Sequence, residues 1–153
     1  MNIEQSLAAL SLKLPVPPKP IAAYIPAIRT GNLLIISGQL PMQEGKLLAT
    51  GRVPSMVPIE SAQKAAAQCV VNALAIVGGE LQGDWSKLKR VIRLGVFVQS
   101  DDGFHDQAKV ANGASELLER VMGEQGRHAR AAVGVNALPL NACVEVEFIF
   151  EIE

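Results

Sequence analysis

The sequence predicts an α+β sandwich, a mixed β-sheet with two helices on one of its faces. Three observations carry that expectation. Two long segments, Pro58 to about Val77 and about Phe104 to Met122, place apolar residues at helical spacing. Around them lie short apolar runs with the two-residue alternation of strands, clearest from Cys143 to Ile152. The resulting order, βββαβαββ, groups strands before, between and after the helices, which suits helices packed on one side of a sheet.

The elements follow in chain order. Ile3, Leu7, Leu10 and Leu14 recur at helical spacing within Met1 to Leu14, and Pro15, Pro17, Pro18 and Pro20 then impose an extended path. Residues 1–20 are therefore an N-terminal helix and proline-rich extension docked on one domain spanning 1–153, since so short a segment makes no core of its own. Ala27 to Gln39 reads as a hairpin turning at Gly31-Asn32, with Leu33 to Ile36 a well-buried strand. Gly45 marks a second turn before a short strand, Lys46 to Ala49, and Gly51 to Val57 is a loop. Pro58 opens the first long helix, whose stripe of small residues (Ala62, Ala65, Ala66, Cys69, Ala73) suits close packing on a sheet. Gly78-Gly79 is expected to end it.

Lys89 to Gln99 is the next strand, with Ile92, Leu94, Val96 and Val98 on one face. Asp102 is placed to cap the second helix, whose buried stripe is expected to be Phe104, Ala108, Ala111, Ser115, Leu118 and Met122, with Gly123 closing it. Ala129 to Val135 and Cys143 to Ile152 complete the sheet. In the last strand Val144, Val146, Phe148, Phe150 and Ile152 point one way, and Glu145, Glu147, Ile149 and Glu151 the other. A face that mixes glutamates with apolar neighbours suits an interface containing polar sites.

Composition narrows the functions. The 153 residues carry a net charge of −1 with 19% charged residues, which gives no electrostatic footprint for nucleic acid or an anionic membrane. No apolar run is long enough to span a bilayer. The N-terminus lacks a basic region followed by an apolar block, so no signal peptide and a cytoplasmic location are expected. Cys69 and Cys143 lack metal-ligand spacing and read as small buried hydrophobes. Aromatics are only 4%, so the chain either fills its core with small, closely packed side chains or buries apolar surface against copies of itself, or both.

Few residues are placed for chemistry. There is no glycine-rich phosphate loop and no paired His or Cys metal motif. With two histidines, nucleophilic triads have few bases. His105 reads as a surface or boundary residue; His128 gains interest from Arg130, two positions on. Arg130 opens a strand of small apolar residues. It is either a strand-end arginine paired with a carboxylate such as Glu147, or a planar fork for a substrate carboxylate. Glu145 is either a solvated strand carboxylate or, on a face buried in an oligomer, a general base that positions water. Tyr24, the single tyrosine, is either a packing anchor or a site residue.

The run R-A-A-V-G-V-N-A-L-P-L-N-A-C-V-E-V-E from Arg130 to Glu147 resembles the C-terminal signature of the RidA/YjgF family, also known as endoribonuclease L-PSP-like. G-N-L-L-I-I-S-G-Q-L-P from Gly31 to Pro41 is similar to that family's second strand, and V-A-N-G-A-S-E-L-L from Val110 to Leu118 to its second helix. The resemblance covers roughly Ile21 to Ile152. It implies a chorismate-mutase-like fold, a homotrimer with clefts between subunits, and hydrolysis of reactive enamines and imines, such as 2-aminoacrylate, to 2-keto acids and ammonia. Carried over by position, Arg130 binds the substrate carboxylate and Glu145 orients the attacking water. Tyr24, Ser37, Gly38, Asn112 and Ala132 line the cleft, Ala132 standing where many members have cysteine. No metal or cofactor is implied. The alternative is a binding protein that senses 2-keto acids without turnover. RNA cleavage, attributed to some members, finds no support in the charge balance. The N-terminal extension and the Met42 to Ile59 loop exceed the compact archetype.

Overall fold

A computed structural model of the chain describes residues 2–19 and 23–153. The main sheet has five strands: β1 (Ala27–Thr30), β2 (Leu33–Gln39), β5 (Leu88–Gln99), β6 (Ala129–Val135) and β7 (Val144–Ile152), in the order β1-β2-β7-β5-β6. Neighbours are antiparallel except β5 and β6, which are parallel because the intervening helix returns the chain to its starting end. Four strands, rather than the three expected, precede the first long helix. Met42–Gln43 (β3) folds back on Lys46–Leu47 (β4) through the left-handed residues Glu44 and Gly45, which takes up the residues expected to form a strand reaching Ala49. This ribbon stands apart from the main sheet.

Helices α2 (Ile59–Glu80) and α3 (Gln107–Met122) cover one sheet face. Gly78-Gly79 does not end α2, which continues to Glu80. Both glycines serve close packing instead. A Cβ on Gly78 would lie 2.8 Å from the Trp85 ring, and Pro17 sits over Gly79. The second helix starts three residues later than expected. Asp101 to Phe104 closes a turn, and Asp106 rather than Asp102 occupies the N-cap position, without a side-chain capping bond. Its buried stripe is Val110, Ala111, Ala114, Leu117, Leu118, Val121 and Met122; Ala108 is exposed, and Phe104 and Ser115 are half-buried. Gly113 lies against the backbone of Gln63, where any Cβ would collide, so α2 and α3 approach closely. Gly123, at φ 62°, ends α3 as expected.

The N-terminal helix, α1, is Ile3–Ala9 and stops short of Leu14. Asn2 caps it, Ile3 and Leu7 are buried, and Trp85 Nε1 donates to Glu4 Oε1 at 3.3 Å. Leu10 caps the helix in a turn, Leu12 and Leu14 follow it, and all three still pack on the core. Met1 and Pro20 lie outside the described residues. Cys69 and Cys143 are free and buried. Burial pushes both thiols up, Cys143 to about 11.

The strand faces differ from the expected pattern in β2 and in β5. β7 alternates as read: Val144, Val146, Phe148, Phe150 and Ile152 are buried against the helices. In β2 only Leu34 and Ile36 are buried, whereas Ile35 is 38% exposed on the other face. In β5 a bulge at Ile92 shifts the register against β7, so Val91, not Ile92, joins Leu94, Val96 and Val98 in the core. The face away from the helices carries Ile28 (55% exposed), Ile35, Ile149 and Arg93 in one row, and Glu145, Phe97 and Val133 (47% exposed) in another. No helix among the described residues is long and apolar enough to cross a membrane.

Candidate functional site

Arg130 stands on β6, at the sheet edge, opposite Leu94. Leu94 points into the core, and paired residues share a face, so Arg130 points toward α3. There both N–H groups of Nη1 are engaged: one reaches Asn112 Oδ1 at 2.9 Å, the other Ser115 Oγ at 3.0 Å. Asn112 and Ser115 are three residues apart on α3 and therefore adjacent on its surface. Ser115 Oγ lies 2.9 Å from His128 Nε2, and His128 Nδ1 lies 2.6 Å from the Gly126 carbonyl. The bonding fixes the proton positions. Nδ1–H donates to Gly126, so the neutral ring presents Nε2 as acceptor to the Ser115 hydroxyl, which itself accepts from Arg130. Burial, with the neighbouring Arg130 charge adding to it against the opposing Gly126 bond, holds His128 below its ordinary pKa and favours this neutral form.

The alternative in which Arg130 pairs with Glu147 does not occur. Glu147 crosses Gly95 to pair with Arg93 at 3.3 Å. Among the described residues Arg130 has no carboxylate partner, and its Nε and Nη2 N–H groups make no hydrogen bond. That edge of the guanidinium is the one that grips a carboxylate with two parallel bonds.

The remaining residues gather elsewhere. Glu145 lies on the sheet face opposite to the helices, with its carboxylate against Gly38 so closely that a Cβ there would overlap it. Its pKa is raised, first by burial and then by the Glu147 charge. Gly38 and Tyr24 line one cavity of about 390 Å³. Ser37 ties the strand to the preceding segment, its backbone N–H donating to Pro26 and its hydroxyl to the Ile25 carbonyl at 2.9 Å. Ala132, two residues beyond Arg130, is half-buried opposite Val96. His105 is exposed in the turn before α3.

The candidate residues thus fall into two separate groups. Arg130, Asn112 and Ala132 belong to the β6 edge; Tyr24, Ser37, Gly38 and Glu145 belong to β2, β7 and the segment before β1. Glu145 is in register with Phe97 and Val133, three residues along from Arg130 and two strands across. Strand spacing of ~4.8 Å and a rise of ~3.3 Å per residue set their Cα atoms roughly 14 Å apart. They also project from opposite sheet faces. Ser115 and His128 complete the arginine cluster. The sequence placed Ser115 in the apolar stripe; its signal was a hydroxyl three residues after Asn112 on the same helical surface.

The fold is a mixed-sheet α+β sandwich with an anchored edge-strand arginine on one face and a glutamate on the other. The chain belongs to the RidA/YjgF family: the model of that family described as Endoribonuclease L-PSP matches residues 15–152. The chain is similar to Protein TCP17 of Trypanosoma cruzi, at 39% identity over 99% of this chain and 94% of that protein. It is 28% identical to a 2-iminobutanoate/2-iminopropanoate deaminase of Dermatophagoides farinae, over 93% of this chain and 95% of that one. A crystal structure of an Agrobacterium tumefaciens protein of unknown function superposes with a TM-score of 0.93 at 52% identity, covering 99% of this chain and 92% of the other. The N-terminal helix and the proline-rich strap after it (residues 15–19) therefore fall within the matched length of TCP17 and of the Agrobacterium protein.

Proposed function

We propose that the chain hydrolyses 2-imino acids, formed from reactive enamines such as 2-aminoacrylate, to 2-keto acids and ammonia, in clefts between the subunits of a homotrimer. The observation that carries the reading is the Arg130 guanidinium, whose Nη1 is fully engaged by Asn112 and Ser115 while its Nε–Nη2 edge is unengaged among the described residues. A guanidinium held along one edge presents the other at a fixed angle and receives a carboxylate without first ordering itself. The 28% identity to a protein named for imine deamination supports the same chemistry.

The reacting centre needs a second contributor. Arg130 and Glu145 of one chain face away from each other, so the glutamate that serves a given arginine comes from another copy. The apolar rows around Glu145 supply the surface for that contact. With the substrate carboxylate on Arg130, water held by the partner copy's glutamate adds to the carbon bearing nitrogen. The carboxylate takes a proton from that water and passes it to the imine nitrogen, giving a carbinolamine; it then takes the hydroxyl proton and passes it to the amine, so the C–N bond breaks and ammonia leaves as the carbonyl forms. A carboxyl with a raised pKa suits both transfers. Tyr24, Ser37 and Gly38 shape the cleft on the glutamate side, and Asn112 and Ala132 on the arginine side.

The test is ammonia release from imines generated in situ from a panel of amino acids. Acceleration over the uncatalysed hydrolysis supports the proposal. Binding of 2-keto acids without acceleration replaces it with a sensing role.

A further inference from the structure

The cavity that contains Tyr24 and Gly38 is larger than the smallest imines require. It runs from Gly38, against which the Glu145 carboxylate lies, to Pro15 and Val16 of the N-terminal strap. Its walls are mainly apolar: Pro15, Val16, Tyr24, Leu40 and Met42. The polar groups there are largely engaged in holding the wall together. Asn72 Nδ2 donates to the carbonyls of Leu40 and Met42 at 3.0 Å each, its Oδ1 accepts from Gln68, and Gln39 Nε2 donates to the Ser37 carbonyl. Glu44, in the β3–β4 turn, is the charged residue on the lining. The strap side is preformed, because proline fixes its own backbone and Pro17 is seated on Gly79 of α2. The volume, about 390 Å³, falls within the range of small-molecule pockets and far exceeds a methyl group.

We infer that this cavity receives the side chain of the 2-imino or 2-oxo acid and selects extended aliphatic side chains over a single methyl and over acidic ones. The inference rests on the proposed function for where the carboxylate and the reacting carbon sit. With those placed between Arg130 of one copy and Glu145 of another, the substituent on the reacting carbon leaves past the Gly38 that lies against that glutamate, where the apolar wall stands. Each methylene it buries tightens binding about fourfold, and Glu44 repels a second carboxylate.

The experiment is calorimetric titration of the intact protein with pyruvate, 2-oxohexanoate and 2-oxoglutarate, alongside ammonia release from the imines of alanine and norleucine. Three additional methylenes predict about 60-fold tighter binding of 2-oxohexanoate than of pyruvate, with 2-oxoglutarate weaker than 2-oxohexanoate. Val16 is 90% exposed, so Val16→Glu is compatible with folding. It should remove most of the 2-oxohexanoate advantage and leave pyruvate within about twofold. Equal affinity for the two monocarboxylates, or a variant that weakens both alike, overturns the inference. Retention of the affinity order without ammonia release supports the pocket and sinks the deaminase reading alone. Binding of none of the three acids overturns both.

Discussion

Replacing Arg130 separates a substrate-holding role from a scaffolding one. Arg130→Ala removes two bonds from Nη1, to Asn112 and Ser115, and the unengaged Nε–Nη2 fork. The first loss is structural. Two partly buried hydrogen bonds at about 1 kcal/mol each lower stability by ~2 kcal/mol, a fall in Tm of several degrees for a domain this size. The second loss is seen only with ligand. Two charge-assisted bonds to a carboxylate at ~1.5 kcal/mol each amount to ~3 kcal/mol, or about 150-fold in Kd for 2-oxobutanoate and in kcat/KM for 2-iminobutanoate. Arg130→Lys should recover part of the charge term but not the two-pronged geometry. Asn112→Ala should keep the fork and loosen its anchor, with an intermediate loss of about fivefold. Calorimetry, ammonia release and thermal melting on the same preparations give the three readouts. A folded Arg130→Ala protein that binds 2-oxobutanoate within threefold of the unsubstituted chain would refute the reasoning and leave Arg130 as scaffold.

Two other outcomes are expected. Val133→Asp places a charge in the apolar row beside Glu145, on the face away from the core, and should dissociate the proposed trimer while leaving the subunit folded. Sedimentation checks it, and a stable 16.3 kDa monomer of the unsubstituted chain at micromolar concentration would remove the shared-cleft model with it. His128, held below its ordinary value of 6.5, stabilises the fold fully above that value, and the contribution is lost as pH falls from there through its folded pKa. Protonation also forces Nε2 to donate rather than accept in its bond with Ser115 and adds charge beside Arg130. Stability should therefore decline below about pH 6.5 by an amount that His128→Gln abolishes, measured by denaturant titration across pH.

The sequence was most legible where one pattern sets the outcome. The alternation in Val144–Ile152 survived intact because both neighbouring strands bury the same face. It was least legible where tertiary packing overrides a local signal. Gly78-Gly79 reads as a helix stop, yet the glycines sit inside α2 because Trp85 and Pro17 need the room. Ile92 reads as core, yet the bulge hands that place to Val91. Asp102 has capping chemistry, but the turn from Asp101 to Phe104 delays the helix and leaves the N-cap to Asp106. The site followed the same division. Arg130 and Glu145 were visible as charged residues in apolar strands, with two possible readings each. Their separation depends on strand order, which places β5 between their strands, and on register, which pairs Arg130 with core-facing Leu94 and Glu145 with Phe97 on the other face; no local spacing encodes either.

That separation carries a consequence for inheritance as well as chemistry. If every working cleft draws its arginine from one copy and its glutamate from another, two alleles that are each dead need not be dead together. Subunits carrying Arg130→Ala still offer an intact glutamate, and subunits carrying Glu145→Gln still offer an intact arginine. Unfolded and refolded as an equal mixture, they should assemble clefts of every combination at random, and about one in four would join the two surviving halves. Activity near a quarter of the parent's, from two inactive parents, would be interallelic complementation. The reciprocal penalty falls on a chain bearing both substitutions, which should rescue neither single variant and should disable two of the three clefts in a trimer it enters with two unsubstituted copies.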